Sequence, residues 1–204
     1  PPLTLTFVID GSGSMAREDR LGLVQASLRM LVDKLRDGDR VGIVLFQTDA
    51  RVVLEPVVLG NHPREECEDG DHHRAWSPFD KQHAERCDHG WSPSGRQLVL
   101  DAIDRLVADG STNAEVGLLL GYDMARRSFR TTASNRVILC SDGVANEGRT
   151  GAESILARVR SEADQGIRLT AVGCGMGNYN DVLLEQLADR GDGNYFYIDD
   201  LSEA

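Results

Sequence analysis

The chain reads as an α/β protein: a doubly wound, mostly parallel central sheet with helices on both faces and one antiparallel edge strand. Three observations predict it. Short apolar runs rich in β-branched and aromatic residues alternate along the chain with segments whose apolar residues recur at helical spacing. The run over residues 41–46 (VGIVLF) is continuously apolar, as a strand covered on both faces is. The runs stop abruptly at turn-forming residues, at Asp10-Gly11, at Ser141-Asp142-Gly143 and at the glycine-rich 173–177.

Each element follows in order. Residues 3–9 (LTLTFVI) form the first buried strand. Leu21, Val24, Leu28, Leu31, Val32 and Leu35 keep helical spacing, and Asp37-Gly38 closes that helix. Residues 41–46 are the second strand. Residues 50–54 (ARVVL) are a third, antiparallel and at an edge, because only Gln47-Thr48-Asp49 separates it from the second. After an interruption, Leu98, Ile103, Leu106 and Val107 mark one helix, and Val116, Leu119, Leu120 and Met124 another. Residues 137–140 (VILC) are a buried strand, and Ile155, Leu156 and Val159 mark a helix. Residues 167–172 (IRLTAV) are a further strand. Val182, Leu184 and Leu187 mark a short helix, and residues 195–198 (YFYI) the last strand. Crossovers between parallel strands are expected to be right-handed, and ligands to sit at the carboxyl ends of the strands near the switch in strand order. That directs attention to the residues after Ile9 and Cys140.

The composition narrows the class. A chain of 204 residues, 41% hydrophobic and 27% charged, is one folded domain spanning 1–204, neither disordered nor collagenous. A net charge of −11 argues against nucleic acid or an anionic membrane as the main partner and suits a bound cation or a basic partner. No apolar run reaches the roughly 18–20 residues of a membrane span, so no membrane insertion by this fragment is expected. The chain opens Pro1-Pro2 with neither an initiator Met nor an apolar leader and reads as an excised or processed form.

Residues 60–96 break the pattern. They show no helical or alternating period, and they hold all five His of the chain, both Trp and two of the four Cys. They read as an insertion between the third strand and the next helix. Cys67 and Cys87 enclose a short loop and suit a disulfide, which would imply an extracytoplasmic location: cell surface, periplasm or secreted. Alternatively, Cys67, His72, His73, His83, Cys87 and His89 contain enough soft ligands for Zn²⁺, although the spacing matches no standard finger. A bare polar loop is the third reading. Cys140 and Cys174 both end apolar strands and read as buried, reduced thiols. Gly173-x-Gly175-x-Gly177 lacks the spacing of a dinucleotide fingerprint and the Lys-Ser/Thr pair of a phosphate loop, so it reads as loop geometry.

The sharpest chemical signal is Asp10-Gly11-Ser12-Gly13-Ser14, one carboxylate and two hydroxyls on a tight turn at a strand end. Oxygen-only ligands suit a hard divalent cation. Asp142 ends another buried strand and can face the same crevice, and Gly110-Ser111-Thr112-Asn113 can supply a third hydroxyl. Each piece also has a plain reading: a flexible turn, a Thr112-x-x-Glu115 helix cap, an Asp-Gly turn.

Taken together, the sequence resembles the von Willebrand factor type A family, Rossmann-like domains that carry a metal-ion-dependent adhesion site. The family pattern of Asp-x-Ser-x-Ser, then a distant Thr, then a distant Asp is matched by Asp10, Ser12, Ser14, Thr112 and Asp142. The stretches FVIDGSGSM, GSTNAEVGLLLGYDMA and SDGVANEG are most similar to bacterial stand-alone or membrane-tethered members. The resemblance implies a Mg²⁺ site, with Mn²⁺ or Ca²⁺ as possible substitutes. Ser12, Ser14 and Thr112 would coordinate directly and Asp10 and Asp142 mainly through water. An Asp or Glu carboxylate of a protein partner would complete the shell, making the domain an adhesion or interaction module and not an enzyme. Mostly neutral direct ligands would leave the ion positive toward that carboxylate. Two other readings stand beside it. A metal-dependent hydrolase would need a base near the ion, yet no His lies outside the insertion. A scaffold binding through its insertion would not need the site.

Overall fold

A computed structural model describes residues 1–60, 94–143, 151–175 and 181–199. Six strands in these residues form one sheet: β1 (Leu3–Asp10), β2 (Arg40–Phe46), β3 (Ala50–Val58), β4 (Ser134–Ser141), β5 (Ile167–Cys174) and β6 (Tyr195–Ile198). Five helices accompany them: α1 (Arg20–Lys34), α2 (Gly95–Asp104), α3 (Ala114–Arg127), α4 (Gly151–Asp164) and α5 (Asp181–Arg190). The strand order is β3-β2-β1-β4-β5-β6, and every neighbouring pair is parallel except β2–β3. The predicted mixed sheet, with its antiparallel edge, is therefore the one that forms.

Side chains alternate across the sheet, and each face buries a different set. Phe7, Ile9, Ile43 and Leu45 pack with Leu21, Val24 and Leu28 of α1 and with Val99 and Ile103 of α2. Val8, Val44 and Phe46 pack on the other face with Leu118 and Tyr122 of α3, Leu156 and Val159 of α4, and Leu184 and Leu187 of α5. β1 lies between β2 and β4, and the chain winds away from it in both directions, so the switch point falls between the carboxyl ends of β1 and β4. The register sets Asp10 level with Phe46 and Ile9 level with Cys140.

Several boundaries differ from the sequence reading. β3 runs on through Glu55 and Pro56 to Val58. Proline stops central strands but is tolerated at an edge, and the β2–β3 pairing is irregular around Ile43, which absorbs it. Helix α2 begins at Gly95 because the Ser94 hydroxyl accepts from the Gln97 amide at 3.2 Å, so residues 94–96 belong to the helix and not to the insertion. Val107 lies beyond the end of α2 and is exposed. Leu119 (43% exposed) and Val182 (62% exposed) share a helical period with core residues yet face outward. The face of α3 that meets the sheet is instead lined by Ala114, Gly117, Leu118, Gly121 and Tyr122. Small residues were invisible to a search for apolar spacing, yet they let the helix approach: a Cβ at Gly121 would stand 2.3 Å from a Val8 methyl. Among the described residues, no helix is long and apolar enough to cross a membrane.

Candidate metal centre

The site grows from the ends of β1 and β4. Asp10 is the last residue of β1, and beyond it a 3₁₀ segment, Gly13–Asp19, leads into α1. The segment is longer than 3₁₀ runs usually are, and buried Met15 anchors it. The turn is tied to its surroundings through backbone groups. The Gly11 amide donates to the Phe46 carbonyl at 2.8 Å, and the Gly13 amide to the Gly110 carbonyl at 2.9 Å. The Asp109 amide and the Gln47 side chain both donate to the Gly11 carbonyl, at 2.6 and 2.9 Å. Stretches of chain far apart in sequence are thus fixed around one point.

The side chains at that point form a continuous chain of oxygens. Asp10 Oδ1 accepts from the Ser12 amide at 2.8 Å. The Ser12 and Ser14 hydroxyls lie 3.0 Å apart, and Ser14 Oγ donates to Asp142 Oδ1 at 3.0 Å. Ser141, next to Asp142 in sequence, donates its hydroxyl to Asp10 Oδ2 at 2.6 Å. Both Asp10 oxygens are therefore engaged by protein donors. Asp10 is buried, and that burial raises its pKa above the usual carboxylate value; the hydrogen bonds from Ser141 and Ser12 pull the other way, and the nearby Asp142 charge adds to the rise. Asp142 Oδ2 meets the Arg20 guanidinium at 2.6 Å, with the two side chains 4% and 13% exposed.

Thr112 sits on the loop that leads into α3. The loop is fastened on both sides, by Gly13 to Gly110 and by the Asn113 amide donating to the Gln47 carbonyl at 2.8 Å. The N-cap of α3 is Asn113, whose side-chain oxygen accepts from the Val116 amide at 3.3 Å. The capping role considered for Thr112 is thereby taken by its neighbour. Thr112 is half-buried, outside the hydrogen bonds that join Asp10, Ser12, Ser14 and Asp142.

Two residues of the centre escaped the sequence reading. In the sequence Ser141 reads only as part of a turn. Arg20 was not singled out, although a signal was present: it opens a helix, where the dipole disfavours a cation, so another group must hold it there. Cys67, His72, His73, His83, Cys87 and His89 lie outside the described residues, as does Gly177. Among the described residues, no three His, Cys, Asp or Glu side chains gather as a metal cluster; this centre instead combines carboxylates with hydroxyls.

Cys140 and Cys174 are buried free thiols, as expected. Burial pushes the Cys140 thiol well above its ordinary value. It pushes Cys174 up to about 12, helped by the Asp142 and Asp10 charges and opposed by Arg20. Since the thiolate is the reactive form, iodoacetamide at pH 8 should leave both unmodified in the folded protein and label both after unfolding. Peptide mass mapping reads the outcome, and native-state labelling of either would contradict the packing.

Comparison with known proteins agrees with the fold. Two family profiles described as von Willebrand factor type A domain match residues 5–69 and 91–204. The uncharacterised protein YfbK of Escherichia coli (strain K12) is 36% identical over 204 residues; the match covers the whole of this chain but only 30% of YfbK. A von Willebrand factor type A structure from Catenulispora acidiphila superposes with a TM-score of 0.68 at 21% identity, covering 98% of this chain and 39% of that one. Proximal thread matrix protein 1 of the mussel byssus, solved with a zinc-occupied metal-ion-dependent adhesion motif, gives a TM-score of 0.62 at 17% identity, covering 96% of this chain and 41% of that one. With family profiles matching residues 5–69 and 91–204, the chain belongs to the von Willebrand factor type A domain family.

Proposed function

We propose that this domain is a divalent-cation-dependent protein-interaction module. In this reading Ser12, Ser14 and Thr112 hold a Mg²⁺ ion directly, and Asp10 and Asp142 support it mainly through water. The observation that carries the reading is the run of oxygens from Ser12 through Ser14 to Asp142, with successive spacings of 3.0 Å. Adjacent ligands of an octahedral Mg²⁺ with bonds of about 2.0–2.1 Å lie about 2.9 Å apart, so the Ser12 and Ser14 hydroxyls fit one coordination edge, with Asp142 next to them as the carboxylate that acts through water. A second fact supports it. Asp10 is a buried carboxylate with a raised pKa, a charge that a cation would compensate. The zinc in the mussel byssus structure is consistent with a divalent ion at such a motif. When bound, the ion supplies an electropositive seat for an incoming oxygen, and an Asp or Glu of a protein partner suits it. Mn²⁺ or Ca²⁺ can stand in for Mg²⁺.

The same centre serves binding better than turnover. A hydrolase needs a base beside the ion, and among the described residues the groups joined here are two carboxylates engaged by donors, three serine hydroxyls and a guanidinium. The domain is accordingly read as a non-enzyme. What the rest of a longer protein does is a separate matter, since this chain spans less than a third of YfbK.

Thermal unfolding tests the reading. Mg²⁺ or Mn²⁺ at a hundredfold excess over its Kd should stabilise the domain by about 2.7 kcal/mol, and a chelator should reverse it. An unfolding midpoint indifferent to both cations would remove the metal site from the account.

A further inference from the structure

We propose that Arg20 sets the charge of this centre, lowering its affinity for the cation and raising the affinity of the loaded site for a carboxylate. The inference rests on the metal reading above and adds to it a determinant of what the site accepts.

The guanidinium has a built seat. Asp19, in the left-handed region at φ 54°, turns the chain from the 3₁₀ segment into α1 and so places Arg20 at the start of the helix. Gly175, at φ +95°, follows β5, and a Cβ there would stand 2.3 Å from Arg20 Nε. Only a glycine leaves the space that the guanidinium fills. The Tyr197 hydroxyl donates to the Gly175 carbonyl and fastens that segment. From this seat Arg20 reaches Asp142 Oδ2, while Ser14 takes Oδ1. Asp142 thus meets both a hydroxyl that belongs to the proposed coordination shell and a permanent cation outside it.

Charge counting gives the consequence. Of these three side chains, Asp10 and Asp142 carry two negative charges, and Arg20 reduces their sum to one. With a dication bound the cluster is left at plus one; without Arg20 it would be neutral. A cation entering the site therefore meets weaker attraction. A carboxylate approaching the loaded site meets a net positive cluster. Asp10 and Asp142 are buried, so neither effect is lost to solvent screening. Lysine would keep the charge while losing the planar fork.

The test compares wild type with Arg20→Gln, Arg20→Met and Arg20→Lys. Mn²⁺ is titrated while free ion is followed by electron paramagnetic resonance. Acetate is then titrated into the Mn²⁺-loaded proteins at constant ionic strength, with bound water followed by proton relaxation. The Gln and Met variants should bind Mn²⁺ about five- to tenfold more tightly and acetate about five- to tenfold more weakly, with the Lys variant near wild type on both. Weakening of both affinities in the neutral variants would reduce Arg20 to a residue that merely positions Asp142 and would overturn the proposal, as would no change in either. Neutral variants that fail to fold without metal, judged by circular dichroism in chelator, also overturn it by making Arg20 structural. Absence of Mn²⁺ binding in wild type itself would sink the metal reading, an outcome distinct from all of these.

Discussion

Replacing Asp142 by alanine should abolish stabilisation by Mg²⁺ and Mn²⁺ and also lower the metal-free stability by about 3 kcal/mol. The two losses have separate causes. Asp142 is buried, and it is the acceptor for both the Ser14 hydroxyl and the Arg20 guanidinium. Alanine takes the carboxylate from both at once, and the guanidinium seated against Gly175 cannot simply swing into water. Removing one partner of such a pair costs far more than the pair contributes net, because the desolvated remainder is left behind. Asp142→Asn helps to separate the causes: it keeps the shape of the side chain and one acceptor oxygen, which can serve Ser14 or Arg20 but not both, so its metal-free stability should fall by less than in the alanine variant while the response to cation is still lost. Urea denaturation with and without Mg²⁺ measures both quantities. A cation response in Asp142→Ala as large as that of wild type would place the ion elsewhere.

The second large effect lies beneath the site. Phe46→Ala should destabilise the domain by about 3–5 kcal/mol, with the urea midpoint lowered and the denaturant slope unchanged. Phe46 is fully buried at the end of β2, level with Asp10, and its backbone carbonyl accepts the Gly11 amide. Its ring fills the space over Gly117, where a Cβ would stand 2.6 Å from a ring carbon. Because the ring backs the strand end from which the Gly11–Ser14 turn springs, the cavity should also weaken Mg²⁺ binding, though without abolishing it. A loss below about 1 kcal/mol would mean that α3 settles into the gap, since the cost depends on how far a site can collapse.

The sequence carried the strands and the carboxylate–hydroxyl pattern because both are local. Residues 3–9 and 41–46 are short runs rich in β-branched residues that read as buried strands, and Asp10, Ser12 and Ser14 stand together on one turn. Pairing them with Asp142 required knowing that β1 and β4 are neighbours, which the alternation of strands and helices implies but no short pattern contains. What escaped was set by packing. The core face of α3 uses glycine and alanine for close approach, so apolar spacing chose Leu119, which points outward. The extension of β3 through Pro56 depends on its edge position. The parts played by Arg20 and Ser141 depend on what faces them, and neither partner is near enough in sequence to announce itself: Arg20 and Asp142 are 122 residues apart, Ser141 and Asp10 131. Thr112 is assigned to the centre by its place in the motif alone, and the cap of α3 is Asn113.

The contact between Ser14 and Asp142 joins residues 128 positions apart. Loops of that span close late, after the central strands have docked, so the oxygens would be scattered over most of the folding reaction. An ion captured there should therefore act almost wholly on the escape from the native state. In stopped-flow urea jumps, Mg²⁺ should slow unfolding by nearly the full equilibrium gain and leave the refolding limb almost untouched. Such a domain would be hardened against proteolysis and mechanical load wherever the cation is abundant, without assembling any faster.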